Sequence, residues 1–176
     1  MRRILFALVL LASAPGARAQ DAISAMIAAQ GLTATEATLA ALLSRSPTEN
    51  FALGGVRFLG AVEAALQARW RMGLSGRTID LPVLRLEVAA NPAPEPFDPH
   101  VIEEIFSGVL TAMAEAEAPL SEIGEADEVA LRLNLADLWF DVNMNGARDP
   151  GAGVVALSAG TLLPRRSRAA ESTARP

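Results

Sequence analysis

The residue types best suited to chemistry lie together in one short stretch towards the C-terminal end of the chain. Oxygen-bearing side chains occupy every second position of residues 141–145, and a glycine and a further aspartate follow. Oxygen ligands at this spacing, with a glycine at the sharp turn, are how a short loop wraps a hard cation such as Ca²⁺. The predicted ligands are the side chains of Asp141, Asn143, Asn145 and Asp149 and the backbone carbonyl of Ala147.

This stretch resembles the EF-hand-like calcium loops of dockerins, thrombospondin type 3 repeats and bacterial surface proteins. Five residues match the first, third, fifth, sixth and ninth positions of that pattern: Asp141, Asn143, Asn145, Gly146 and Asp149. Trp139 and Phe140 come before the first aspartate, as aromatic residues do in several of those loops. The resemblance covers only this part of the chain, so it implies a ligand and no biological role.

The loop also departs from the EF-hand pattern. Ala152 stands at the twelfth position, where an EF-hand has a bidentate glutamate, and Pro150 opposes a helix leaving the loop. Only Asp141 and Asp149 among the predicted ligands carry formal charge. We therefore expect weak Ca²⁺ binding, on the order of 10⁻⁴ to 10⁻³ M.

A plain polar turn is the alternative interpretation of the same residues. Asn, Asp and Gly are common in turns because they tolerate left-handed backbone conformations, and an Asn-Gly pair such as Asn145-Gly146 is a strong hairpin signal. The regular alternation of oxygen-bearing residues favours calcium over the turn.

The first 19 residues have the pattern of an export signal. Arg2 and Arg3 give a positive start, residues 4–12 form an apolar run too short to span a bilayer, and residues 17–19 (Ala-Arg-Ala) are a small-x-small cleavage site. No cysteine follows the site and no later apolar run is long enough for a membrane span. We expect a periplasmic or secreted protein; the alternative is an uncleaved N-terminal anchor.

The charge of the chain argues against nucleic acid as a partner. The sequence has 15 basic and 20 acidic residues, and removing Arg2, Arg3 and Arg18 with the signal leaves 12 against 20. An acidic surface repels phosphate backbones.

The absence of cysteine excludes disulfides and thiol chemistry. Residues 20–158 have the length of a single domain, and we expect the arginine-rich tail, residues 159–176, to be disordered.

Helical periodicity dominates the first half of this domain. Residues 21–44 predict two short helices separated by Gly31. A longer helix is expected from Pro47, because Ser46 and Glu49 form a capping box around a first-turn proline. Large residues at spacings of seven and four along that helix predict a core-facing stripe: Phe51, Phe58, Val62, Leu66 and Trp70.

A further helix and three strands complete the prediction. Asp98-Pro99 is expected to open a helix that ends before Pro119. Alternating apolar residues predict strands at 81–88 and 129–135, with 154–157 returning antiparallel beside the latter. The predicted fold class is α+β, with about four helices packed on a small, mostly antiparallel sheet and the loop between the last two strands.

The sequence favours a non-enzymatic role, although it leaves the question of an enzyme open. It has no nucleophile elbow, phosphate loop, dinucleotide motif or His-Glu-x-x-His, and its only histidine is His100. We expect an exported binding or structural module with a weak structural Ca²⁺ loop, whose partner is another periplasmic protein. The alternatives are a metal-free helical protein–protein interaction module with a groove at Phe51, Phe58 and Trp70, and less favourably a carboxylate-dependent hydrolase. The chain as a whole also resembles small exported proteins of GC-rich proteobacteria, which implies no activity.

Overall fold

Three helices form the body of the protein in a computed structural model that describes residues 15–74, 86 and 88–157. Helix α1 spans Pro15–Ala40, α2 spans Pro47–Arg71 and α3 spans Val101–Ser121. Helix α2 is central, because it packs against both of the others. The largest fully buried side chains come from all three helices: Ile27, Leu53, Leu66, Val101 and Thr35.

Local signals fix the start of α2 as predicted. The Ser46 hydroxyl accepts a hydrogen bond from the Glu49 N–H, and the Glu49 carboxylate accepts one from the Ser46 N–H at 2.7 Å. Pro47 occupies the first turn, where its missing N–H has no intrahelical partner to lose. The predicted capping box is therefore confirmed.

Gly31 interrupts α1. Its backbone has φ 77° and ψ −176°, which is not helical, so two helical segments meet there at a kink. This φ lies in the region that residues with a Cβ rarely adopt. The predicted break at Gly31 is confirmed, as a kink within one element.

Helix α3 runs past the point where we expected it to end. Pro119 lies inside the helix, and it cannot donate the hydrogen bond that the Glu115 carbonyl would otherwise accept. The Arg57 guanidinium of α2 donates to that carbonyl instead, at 2.8 Å from Nη1 to oxygen. The prediction that α3 ends before Pro119 is wrong because a side chain from another helix replaces the lost donor.

The predicted α+β fold class is wrong. The structure is mostly helical, and the described residues contain no sheet, only one isolated antiparallel bridge between Trp139 and Gly153. Residues 129–134 have no regular secondary structure, although Leu131 and Leu133 pack against the helical core as the alternation predicted. The Asn134 N–H donates to the Ser24 hydroxyl of α1 rather than to a neighbouring strand. Residues 154–157 form a single helical turn instead of a strand.

The predicted aromatic stripe of α2 is only partly in the core. Leu66 is completely buried, but Phe51 and Phe58 are 43% and 47% exposed. The buried face is instead rich in small residues, and two of them, Ala65 and Ala68, pack with Val101 and Ile105 of α3. The core prediction for Phe51 and Phe58 is therefore wrong.

Several sequence predictions fall outside the described residues. These are the apolar part of the export signal, most of the expected strand at 81–88, and the arginine-rich tail. Within the described ranges, α2 is the one helix that is long and apolar enough to cross a membrane, judged by length and composition. Of its most apolar stretch, 50% is buried inside the fold. Core helices pass the same test, so the predicted absence of a membrane span stays a prediction.

The approach of α3 to α2 generates a prediction about two adjacent glycines. A Cβ on Gly54 would lie 2.7 Å from Leu120 Cγ and 3.0 Å from the Ala116 carbonyl oxygen, whereas one on Gly55 would meet nothing within 4 Å. We expect Gly54→Ala to lower the free energy of unfolding by about 1–3 kcal/mol through overpacking. Gly55→Ala, the matched control, should raise it by about 0.5–1 kcal/mol through helix propensity. Urea unfolding of the two variants measures both effects, and equal effects would contradict the close packing.

Candidate metal centre

The loop at residues 141–149 is closed at its base by the isolated bridge. The Phe140 N–H donates to the Ala152 carbonyl and the Val154 N–H donates to the Leu138 carbonyl, both at 3.0 Å. These bonds bring the two ends of the loop together although no sheet surrounds them. We call the loop and the bridge that closes it, residues 138–154, the clasp. It lies on a helical body and does not connect the two strands that the sequence predicted.

Trp139 anchors this clasp to α1. Its indole N–H donates to the Ile27 carbonyl at 2.9 Å in a buried contact. A Cβ on Gly31 would lie 3.0 Å from Cζ2 of the same ring, so the indole packs directly on the kink. The kink both supplies the space for the ring and brings an α1 carbonyl to its N–H.

The Asp141 carboxylate organises the turn of the loop. One oxygen accepts the Asn145 N–H at 3.0 Å and the other accepts the Gly146 N–H at 2.8 Å. Gly146 has φ 73°, which is the left-handed conformation that the predicted sharp turn requires. Met144 also has a positive φ, of 59°, which an asparagine or glycine would adopt more readily.

The other three oxygen-bearing side chains meet on Asp149. Asn143 Nδ2 lies 2.6 Å and Asn145 Nδ2 lies 3.1 Å from the same oxygen, Asp149 Oδ2. The Asn145 side-chain oxygen accepts the Ala147 N–H at 2.8 Å. The structure thus brings together the four side chains predicted as ligands, and Ala147 lies in the same turn.

The oxygen ligands of the loop are of the chemical type that calcium prefers, but there are fewer of them than a calcium ion takes. Each carboxylate and amide oxygen has two lone pairs, so those that already accept one hydrogen bond keep a site for a cation. Four side chains and one carbonyl give about five ligands, and Ca²⁺ takes 6–8 oxygens. The described residues contain no group of three or more His, Cys, Asp or Glu side chains that could hold a metal ion. The twelfth position adds nothing, because Ala152 is a buried apolar residue.

Arg148 does not neutralise the loop, although it lies between the ligands in the sequence. Its guanidinium donates to the Ala136 carbonyl at 2.6 Å and so turns back towards the residues that precede the clasp. Within the described part of the chain, neither Asp141 nor Asp149 forms an ion pair. The two negative charges of the loop are therefore available to a cation.

Sequence reasoning missed two residues of α2 that hold the start of the loop. The Glu63 carboxylate accepts the Asp141 N–H at 2.7 Å, and the Gln67 side chain donates to the Asp141 carbonyl at 2.8 Å. They are four residues apart and share one face of the helix. The one available signal was that Glu63 is an acidic residue within an otherwise apolar stretch.

Burial disfavours the ionised form of Glu63. It is only 5% exposed, and burial raises the pKa of its carboxyl above the ordinary value of 4.5. The hydrogen bond from the Asp141 N–H opposes this rise, and the charge of the Asp141 side chain adds to it. The fold therefore places two carboxyl groups close together at the entrance to the loop.

The remaining titratable candidates are His100 and the carboxylates of a groove between the helices. His100 lies before α3 with its Nδ1 4.0 Å from a Glu103 oxygen, and both side chains are exposed. A groove of about 270 Å³ between the helices is lined by Glu36, Glu63 and Glu115. Glu36 forms an ion pair with Arg57 at 3.0 Å, and Glu63 holds the loop. Two of these three carboxylates, Glu36 and Glu63, thus already bind other groups of the protein.

Comparisons with known proteins add no family to this description. No protein-family model matches the chain, and no curated protein and no solved structure matches it.

The buried carboxyl of Glu63 generates a prediction about pH and stability without metal. Because the pKa of Glu63 is higher in the folded protein than in the unfolded protein, ionisation of Glu63 destabilises the fold. This destabilisation disappears below about pH 4.5, where Glu63 is protonated in both the folded and the unfolded protein. Glu63→Gln keeps an acceptor and removes the charge. The free energy of unfolding of Glu63→Gln minus that of the wild type should be largest at about pH 8, and this difference should decrease as the pH falls to about 4.

The measurement is urea unfolding in EDTA across that pH range. Glu117→Gln, which changes an exposed carboxylate of α3 in the same way, is the matched control. A difference between Glu63→Gln and wild type that does not vary with pH would contradict the role of the buried charge.

Proposed function

We propose that this protein is an exported binding or structural module whose C-terminal clasp is stabilised by one weakly bound Ca²⁺ ion. The observation that supports it best is the convergence of Asp141, Asn143, Asn145 and Asp149 in a single turn. The export part of the proposal rests on the signal pattern of residues 1–19.

A cation at this point has a clear structural use. Asp141 and Asp149 place two negative charges in one short loop, and the buried Glu63 adds a third carboxyl group at its entrance. When bound, Ca²⁺ offsets the repulsion between the carboxylates and fixes the turn. Since Trp139 joins the clasp to α1 and Gln67 joins it to α2, order in the loop extends to both helices.

The calcium proposal predicts a thermal shift of limited size. At about 10 mM Ca²⁺, a Kd of about 10⁻⁴ to 10⁻³ M stabilises the native state by about 1.4–2.7 kcal/mol, because the ion binds only the folded protein. Thermal unfolding in Ca²⁺, in Mg²⁺ and in EDTA measures it. The increase should be specific to Ca²⁺, because Mg²⁺ demands a smaller octahedral site.

Two aspartate variants sharpen this test. Asp149→Asn removes one charge and keeps an oxygen that accepts from Asn143 and Asn145, so it should abolish the shift with little change in EDTA. Asp127→Asn makes the same change at an exposed residue outside the loop and should keep the shift. If neither Ca²⁺ nor Mg²⁺ moves the transition of the wild type, the stretch is a plain turn.

A second candidate function has its own observation. Large apolar side chains are exposed on the two helices that pack together: Phe51 and Phe58 on α2, and Phe106, Leu110 and Met113 on α3. The spacing of Phe106, Leu110 and Met113 places them on one face of α3. Exposed apolar patches of this kind mark protein interaction sites, which supports a helical interaction module that needs no metal.

The interaction module predicts a partner whose binding depends on this face. In EDTA, the double variant Phe106→Ser, Leu110→Ser should recover at least about tenfold less of a periplasmic partner protein than the wild type does. The reason is that buried aromatic anchors dominate interface energies. Leu43→Ser, at a fully exposed leucine between α1 and α2, is the matched control and should keep it. Equal recovery by the double variant and the control would exclude this face as the binding site.

A further inference from the structure

A cavity of about 540 Å³ lies beside the loop, between the end of α2 and the clasp. Its walls are apolar where Trp70, Val88, Phe140 and Leu157 line it, and one edge is polar because Asn143 and Asp149 reach it. The volume is within the range of about 300–1,000 Å³ that is typical of small-molecule sites. Apolar walls with a few polar groups at one end suit a ligand that is itself apolar with one polar end.

The far wall of this cavity is held in place by specific bonds. The Asn91 side chain donates to the Trp70 carbonyl at 3.1 Å, and the Glu95 N–H donates to the Arg71 carbonyl at 2.8 Å. Arg69, which is buried, donates to the Leu86 carbonyl at 2.8 Å. The segment that carries Val88 is therefore tied to α2 both before and after Val88 in the sequence.

The polar edge coincides with the incomplete side of the calcium loop. Ala152 stands where a complete loop of this pattern has its bidentate glutamate, and Ala152 lines the cavity together with Asn143 and Asp149. The loop provides about five oxygens where Ca²⁺ takes 6–8. The position of the missing carboxylate thus faces a space that a second molecule can enter.

We propose that this cavity binds a small aliphatic carboxylate whose charged end completes the coordination of a Ca²⁺ ion held by the loop. The inference rests on the proposed function, because the ion must be present. Without it, Asp149 repels an anion at the polar edge; with it, the carboxylate meets a divalent cation and the alkyl chain meets the apolar walls.

The test is a calorimetric titration of the purified protein with Ca²⁺, with and without about 1 mM octanoate as the probe. We expect octanoate to lower the Kd for Ca²⁺ by about tenfold or more, and Ca²⁺ to lower the Kd for octanoate by the same factor, because the coupling between two ligands is reciprocal. Acetate, which lacks the chain, and octanol, which lacks the charge, should each have less than about a threefold effect.

Two variants separate the cavity from the coordination. Ala89→Phe, at an exposed cavity residue outside the loop, should block octanoate and leave Ca²⁺ binding in its absence unchanged. Ala152→Glu supplies a carboxylate within the chain, so it should bind Ca²⁺ more tightly alone and lose the response to octanoate.

The outcomes distinguish this inference from the function on which it rests. Ca²⁺ binding that octanoate leaves unchanged overturns the inference and keeps the calcium loop. Octanoate binding that is equally tight in EDTA overturns the coordination of its carboxylate. If Ca²⁺ does not bind with or without octanoate, the calcium loop and the inference are both wrong.

Discussion

The hydrogen bond from the Trp139 indole to the Ile27 carbonyl is the contact on which the rest of the structure depends. It joins residues 112 positions apart and places the largest side chain of the clasp against α1. A buried indole N–H without a partner costs about 1–3 kcal/mol, so the ring and the carbonyl must be positioned together. Gly31 makes this arrangement feasible, because any Cβ there would meet the ring at 3.0 Å. The local kink of α1 thus provides the surface on which this one contact fixes the position of the loop.

A second constraint acts from α2. Glu63 and Gln67 hold the N–H and the carbonyl of Asp141, so the first residue of the loop has its backbone fixed before its side chain organises the turn. A buried carboxylate is an expensive group for this purpose, and the raised pKa of Glu63 reflects that expense. In the proposed calcium-bound state, ionised Glu63 adds to the field that attracts the cation. Without a cation, ionisation of the same residue destabilises the fold.

Features that depend on neighbouring residues were predictable from the sequence. The capping box at Ser46 and the break at Gly31 are local, and the oxygen-bearing residues of the loop meet because they lie within nine positions of each other. The predicted strands at 129–135 and 154–157 were wrong because alternation specifies which side chains are buried and does not specify a pairing partner. Residues 131 and 133 are half-buried as expected, against helices. The prediction that Phe51 and Phe58 lie in the core was wrong because α2 has more than one apolar face, and spacing alone does not show which face is buried. Glu63 was invisible because its partner is 78 positions away.

The span of the Trp139 contact also affects the order in which the chain can fold. Helices α1 and α2 are adjacent in the sequence and can pair early, but the kink that faces Trp139 stays unfilled until the last quarter of the described chain has joined them. Contacts between distant parts of a chain form slowly, because the loop between them must first be closed. During synthesis, the apolar surface at the kink therefore stays uncovered until Trp139 has left the ribosome, and exposed apolar surface of this kind is what chaperones recognise.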